Sequence, residues 1–578
     1  AGLGSHPRGA RGPRPHMAAR PPPAMAGPAL LKLPPLAATT TSLSALKLAA
    51  EPLAWLLVPA SRSLTPLCVV FVLAKWLRTL ATQGPGAVLR RGARHLWRAL
   101  LTAEIWFAVY TLLVARSLQR PRWKVPQMQG DKVEIMRKIM GVMDVVFGNR
   151  AGRMRRPQSV QALQEAISEV RGSLAKEGDL LTAEALLRSW ARSGDSPAGA
   201  KPRLPLDSDD APSSLASSSQ DGVALTQQHL VELKRAEVSA WFKGAPFAEL
   251  RRGDVADLLA CSFYACTPAE VRALGQGEEL DSLVLEMLQG TGDTEMPEGT
   301  SGHSPMRVGM DPISWTHRPF IFYVFTDLSI KAITFLAMRH LGFQHYCSGS
   351  LRYWYKPGDG PARVFCHGIG LGVLPYMQLL RGLSCEPGPL FAIELEAIAM
   401  RIQRAVPSHN EVAANIRDML HAWGFASAHF IGHSFGTVVM AWVTKLYPAI
   451  ICRASFLDPV VFLLCVPHMV YKFLYKEPRE GIEKLMHFFV SSELYMANMM
   501  SRHFIWHECL LWEEDLRFPN GALVVLSSED QLVPSHEVRR YMARRAPLGT
   551  EVVWLEDGFH GEFLLRPKVL RTLLDRLR

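Results

Sequence analysis

Acidic residues are missing from the first fifty positions of this chain: the first carboxylate is Glu51. A basic, acid-free, alanine-rich stretch cannot build a core. It has the composition of either an organelle-targeting leader, plastid or mitochondrial, or a disordered tail. The chain opens on Ala1, and Met17 and Met25 are candidate starts. Cysteine is also scarce, nine in 578 residues, with no C-x-x-C and no Cys/His cluster at metal-ligand spacing, so no metal is expected. An odd count placed in apolar runs (Cys366 and Cys452) predicts buried free thiols in a reducing, intracellular compartment. No Walker loop occurs, and Gly368-Ile369-Gly370-Leu371-Gly372 lacks the spacing of a dinucleotide fingerprint, so no cofactor is expected. No basic stripe is interleaved with aromatics, which argues against nucleic acid as a partner.

Long uninterrupted apolar runs are missing too. Leu64–Ala74 extends back to Leu53 but is broken by Pro59 and Arg62, and Ala99–Ala115 is interrupted by Glu104. A spanning helix needs ~20 apolar residues, and neither run reaches that cleanly. Trp76 and Arg78 close the first, and Arg98 and Arg116 flank the second, which suits an interfacial anchor. Residues 51–120 are therefore expected to be apolar helices, read first as a membrane anchor and alternatively as buried helices of a soluble unit. The formal net charge of +11 is concentrated in the N-terminal third, as in Arg116–Arg122 and Arg150–Arg156, and favours an anionic lipid surface.

A chain of 578 residues is too long for one core, and two or three folded units are expected. Apolar periodicity predicts helices over 127–194 and 225–290, within a helical region 121–310. The Ser-, Pro- and Asp-rich stretch 193–222 is expected to be a disordered linker. A second weak stretch covers 290–304, and Ile321–Leu336 is a strongly apolar helix with Asp327 and Lys331 at i,i+4. Oligomeric state is left open by the sequence.

The most informative segment is Gly432-His433-Ser434-Phe435-Gly436. It follows the apolar run 428–431 and precedes Thr437–Trp442, which continues at helical spacing. That order is strand, tight turn, helix. Glycine on both sides leaves room for a strained serine, whose hydroxyl is exposed at the strand's end while the Phe435 amide is free to hold an oxyanion. Ala522–Leu526 reads as a buried strand, and Asp530 in the loop behind it can orient a histidine. Glu551–Leu555 is another strand, followed by His560 between Gly558 and Gly561. An imidazole with an ordinary pKa near 6.5 is a natural shuttle for a serine proton. The strand Arg363–Cys366 runs into His367-Gly368-Ile369-Gly370, where the amide of Ile369 or Gly370 could join that of Phe435 in an oxyanion hole. His367 reads as structural.

The order Ser434, Asp530, His560, with these glycine turns, resembles the α/β-hydrolase superfamily from about Gly342 to the C-terminus. The resemblance implies a mostly parallel eight-stranded sheet with helices on both faces, within a domain over 311–578. Its strands are predicted at 345–347, 351–355, 364–366, 390–394, 429–432, 454–457, 523–526 and 552–555. One intervening helix starts at Ser408, with Glu411 completing a capping box. The blocks Trp241–Phe247 and Thr316–Pro319 are similar to a little-characterised eukaryotic group of hydrolases with membrane-associated leaders.

The interval 459–520, rich in Met, Phe and Trp, reads as a helical cap whose side chains mostly pack its own core. Asp458 is a second candidate for the triad acid, although its place before Pro459 predicts a helix N-terminal residue. The expected activity is that of a serine hydrolase acting on a lipid or other acyl ester, through an acyl-enzyme. An acyltransferase using the same triad and a non-catalytic membrane protein on a hydrolase scaffold are the competing readings.

Overall fold

The computed structural model describes residues 78, 96–119, 128, 130–147, 227–403, 405–479 and 481–578. The basic leader, the Leu53–Ala74 run, the basic stretch 150–156, the linker 193–222 and the remainder of the helix expected to 194 lie outside the described residues.

Seven helices precede the sheet among the described residues: α1 (Leu96–Leu118), α2 (Lys132–Phe147), α3 (Gln227–Trp241), α4 (Arg252–Tyr264), α5 (Pro268–Ala273), α6 (Gly277–Gly290) and α7 (Phe320–His340). Thr267 and Glu270 close a reciprocal capping box that starts α5, with Pro268 at its first position. The weak stretch after Gly290 is turns and loop. α7 continues through a π-helical segment at Val324–Ser329, so the predicted helix 321–336 is longer than its apolar run. Two helical stretches, Leu101–Leu118 and Phe320–His340, are long and apolar enough to cross a membrane by length and composition.

The sheet begins with β1 (Gln344–Ser348) and β2 (Leu351–Lys356), an antiparallel hairpin. β3 (Ala362–Cys366), β4 (Leu390–Glu394), β5 (Ala428–His433), β6 (Ile451–Leu457), β7 (Ala522–Ser527) and β8 (Thr550–Leu555) follow. The spatial order is β1-β2-β4-β3-β5-β6-β7-β8, and every pair from β4 onward along that order is parallel. Strands such as Leu-Phe-Ala-Ile-Glu and Ala-Leu-Val-Val-Leu-Ser are buried along their whole length, as strands covered on both faces must be. One face carries α8 (Met377–Leu383) and the C-terminal Pro567–Leu577 helix, whose leucines share a cluster with Phe365 and Ile431. The other carries α9 (His409–Ala422), α10 (Phe435–Leu446) and α11 (Ser535–Arg545).

The start of α9 differs from the expected capping box. Ser408 accepts from the Glu411 amide at 3.2 Å, but the Glu411 carboxylate turns to the Ser350 hydroxyl of the β1–β2 hairpin instead of returning to the cap. The N-terminal helices extend the α9–α11 core. Met136, Met140 and Met143 of α2 and Leu283 and Met287 of α6 belong to the same apolar cluster. Arg540 and Arg544 of α11 donate to the last carbonyls of α2, those of Val146 and Val145, at 3.2 and 2.7 Å.

The cap over 458–521 consists of helices of one or two turns. Phe473, Phe488, Met496 and Met499 are buried, and Trp506 donates its indole N–H to Ser262 O of α4 at 2.8 Å. Of the two cysteines expected in apolar cover, Cys366 is buried and Cys452 is half-buried.

β3 leaves the sheet between neighbours that lead in opposite directions, so a crevice opens at the carboxyl ends of β3 and β5. Arg363 braces the turn that feeds β4. Its guanidinium donates to the carbonyls of Leu383, Glu386, Pro387 and Gly388 at 2.9–3.1 Å. Arg363→Met is expected to lower stability by about 3 kcal/mol, because four carbonyls lose a charged donor in a buried turn. A shift in urea midpoint with unchanged slope would report it.

Candidate active site

Ser434 stands between β5 and α10 with φ 53° and ψ −122°, a backbone conformation that costs an L-residue strain and persists only where neighbours enforce it. The enforcement is steric. A Cβ at Gly436 would lie 2.0 Å from the Cys366 carbonyl oxygen, and one at Gly432 would lie 2.8 Å from Gly436 O. The two glycines therefore let α10 start against the end of β3. The Ser434 amide donates to Leu457 O at 3.0 Å, and Thr437 holds the Ser434 carbonyl through both its amide and its hydroxyl. The serine is buried, not exposed as the bare motif predicts, because the loops after β3 and β8 close over it.

The loop after β8 brings His560 to this serine. His560 Nε2 lies 2.9 Å from Ser434 Oγ, and Nδ1 lies 2.7 Å from Asp530 Oδ2. The carboxylate can only accept, so Nδ1–H donates to Asp530. Nε2 is then left to accept the serine proton. Asp530 is fixed in turn: its Oδ1 accepts from the amides of Leu532 and Val533, each at 2.8 Å. Burial alone would lower the His560 pKa, but the charge and hydrogen bond of Asp530, and then the charge of Asp458, raise it to about 9.

Asp458 is not a helix N-terminal residue. It follows β6 with φ 42°, fully buried, and accepts from the Ser527 amide at 3.0 Å and the Gly561 amide at 2.8 Å. It thus ties the end of β7 to the residue next to His560, while Asp530 alone contacts the ring. Burial, followed by the Asp530 charge, pushes the Asp458 pKa up to about 6. The sequence signal for this position is a carboxylate directly after a buried parallel strand, and it cannot be separated from a helix cap without the register.

His433 and Tyr376 complete the support. The Gly368 amide donates to Tyr376 Oη at 2.9 Å, and the hydroxyl donates on to His433 Nδ1 at 2.7 Å. Burial, then the charge of His560, drives the His433 pKa well below its ordinary value, so this ring stays neutral. His367 holds the glycine turn from the other side. Its Nδ1–H donates to Gly368 O at 2.7 Å, and its Nε2 accepts from the Leu395 amide at 3.0 Å. Nothing in the local sequence flags Tyr376, which lies beyond the glycine turn.

Of the three amides considered for an oxyanion hole, that of Gly370 is engaged. It donates to Ile398 O at 2.8 Å, which corrects the expectation that it is free. The candidates that remain are Ile369 and Phe435, the latter opening α10 where a helix leaves its first amides without intrahelical acceptors. Phe435 also meets Phe504 of the cap in a tilted contact, ring centroids 6.2 Å apart.

No family model and no curated protein matches the chain. Solved structures do. A naproxen esterase (carboxylesterase NP) from Bacillus subtilis aligns at 14% identity over 43% of this chain and 97% of its own, with a TM-score of 0.34. A bacterial membrane phospholipase A aligns at 15% identity over 45% and 94%, with a TM-score of 0.32. A 2-hydroxy-6-oxo-6-phenylhexa-2,4-dienoate hydrolase from Rhodococcus aligns at 18% identity over 41% and 97%, with a TM-score of 0.31.

Gly436→Ala is expected to cost about 2 kcal/mol by overpacking α10 against β3, read as a lower thermal midpoint. Strand order, the glycine-backed serine turn, and the chain order of serine, aspartate and histidine give residues 344–578 the α/β-hydrolase fold.

Proposed function

We propose that the chain is a serine hydrolase of carboxylic esters with an apolar acyl part. The observation that carries this reading is the continuous relay from Asp530 through His560 to Ser434, at 2.7 and 2.9 Å. His560 removes the Ser434 proton as the oxygen attacks the ester carbonyl, and Asp530 stabilises the imidazolium that forms. The amides of Phe435 and Ile369 stabilise the tetrahedral oxyanion, each such donor being worth about 3 kcal/mol of barrier. His560 then protonates the departing alcohol, leaving Ser434 acylated. A water molecule deprotonated by the same ring releases the carboxylic acid. Phe435 and Phe504 of the cap, in contact beside Ser434, favour an apolar acyl group.

Wild-type protein is expected to label with a fluorophosphonate probe and to hydrolyse short p-nitrophenyl esters, and Ser434→Ala to do neither. Equal turnover by the two would remove Ser434 from the role of nucleophile. Adding an alcohol or a lysolipid and measuring product partition tests acyl transfer. Predominant water-derived acid is the expected result.

The base must be neutral to act, and its pKa is raised. The kcat/KM profile is therefore expected to rise with pH through a midpoint above 6.5 and towards about 9. Asp458→Asn removes one of the two negative charges that favour the imidazolium, so the midpoint is expected to move down. A midpoint at or below 6.5 in the wild type would contradict the two-carboxylate environment.

A further inference from the structure

α1 and α7 are apolar on their outward faces as well as on parts of their inward ones. In α1 the residues turned into the protein include Glu104 (7% exposed) and Thr111 (2%), while Trp106 is 70% exposed and Leu113 64%. α7 repeats the arrangement. Thr326 and Thr334 face inward at 1% and 2% beside the buried Tyr323, Ile330 and Met338, and Ile321, Phe325, Leu328 and Leu336 point outward, each more than half exposed. A helix that packs on a soluble domain beside water keeps its apolar stripe inward and a polar face outside. These two neighbouring helices share an apolar outer face. They touch through Phe107, whose ring lies 5.4 Å from Phe320 and 5.2 Å from Tyr323. Single exposed leucines are ordinary on a protein surface, whereas a contiguous patch of this kind marks an interaction site.

We propose that this double face is seated in the hydrocarbon of a lipid bilayer, with both helices lying in the plane of one leaflet and neither spanning it. The occupant is argued from chemistry. Trp106 on the apolar face, with the exposed Arg116, Arg339 and His340 at the helix ends, matches acyl chains bordered by anionic headgroups, and the whole chain carries a formal charge of +11.

In-plane seating follows from what holds the inner faces. Tyr323 Oη donates to the buried Glu493 carboxylate of the cap, and Arg318, just before α7, donates to Ser492 Oγ at 2.9 Å. Arg401 Nη1 donates to the carbonyls of Thr326 and Asp327 in the π-helical turn. Met338, near the other end, belongs to the same apolar cluster as Phe343 and as Trp354 of β2. A crossing helix would have to leave all of these partners, whereas an amphipathic helix lying at the boundary keeps them and buries only its outer face.

The seat lies next to the candidate active site. Arg401 follows the segment whose Ile398 carbonyl holds the Gly370 amide of the glycine turn. An ester drawn from the same leaflet would meet that turn first. This last step rests on the proposed hydrolase activity; the seating itself does not.

The test uses the full chain with phosphatidylcholine–phosphatidylserine vesicles in which one acyl chain carries a diazirine. Cross-links are mapped by peptide mass spectrometry. Peptides containing Trp106–Leu113 and Ile321–Leu336 are expected to carry them on the outward residues. The double variant Leu328→Glu with Leu336→Glu is expected to lose the α7 cross-links and to bind vesicles at least tenfold more weakly. Its turnover of a water-soluble short ester should be unchanged. Absence of cross-links at both faces in the wild type would overturn the proposal, as it would if another part of the chain covers them. Cross-links on the inward Tyr323 and Thr326 would replace it with a spanning helix. If the vesicle result holds but Ser434→Ala retains activity, the serine hydrolase reading fails and the seating stands.

Discussion

The contact on which the candidate site depends is the approach of α10 to the end of β3, where the Gly436 Cα faces the Cys366 carbonyl with no room for a methyl group. That approach sets the position of Ser434. It carries the first amide of α10 to the mouth of the switch-point crevice and leaves the serine in a backbone conformation that nothing less crowded would maintain. The glycine turn after β3 is drawn against the same point, since the Gly368 amide reaches Tyr376 and the Tyr376 hydroxyl reaches His433, the residue before the serine. Strain at one residue is thus balanced by close packing of three loops. Only the loop carrying His560 arrives from farther away, and it has a tether of its own.

That tether is Asp458. Two carboxylates lie near one imidazole, but they do different work. Asp530 meets the ring directly and receives two backbone amides on its other oxygen, so its charge is stabilised locally. Asp458 receives the Gly561 amide and fixes where the histidine loop stands relative to β6 and β7. Its charge reaches His560 only through space, which in a buried setting is enough to favour the imidazolium. A second acid therefore steadies the loop while making the base harder to deprotonate. Position and basicity are coupled by the same side chain.

How much of this was legible in the sequence follows from the range of each signal. Ser434, its glycines, and the strands before Asp530 and His560 are local patterns, a few residues long, and the structure brings those three side chains together as their order suggests. The cores of the buried parallel strands were legible for the same reason: runs such as Leu523–Leu526 are apolar without interruption. Asp458 was misread because the Asp-Pro pair that follows a strand is also a helix-start signal, and only the β6–β7 register distinguishes the two. Gly370 was misread because its acceptor, Ile398, lies in a different loop. Tyr376 gave no signal at all, being one aromatic among many.

The apolar helices show a different limit. Periodicity separates the two faces of α7 but does not say which face is turned to the protein, and the ordinary assumption sends the apolar face inward. Here Thr326 and Thr334 go inward with Tyr323, Ile330 and Met338, and Ile321, Phe325, Leu328 and Leu336 go out. The polar groups of the inner face are partnered, by Glu493 on the Tyr323 hydroxyl and by Arg401 on backbone carbonyls of the π-helical turn. Such a turn offers carbonyls that a regular α-helix would retain for itself. The break in α7 is therefore what lets the helix be bolted to the loop of Arg401, which follows the segment whose Ile398 carbonyl holds the glycine turn.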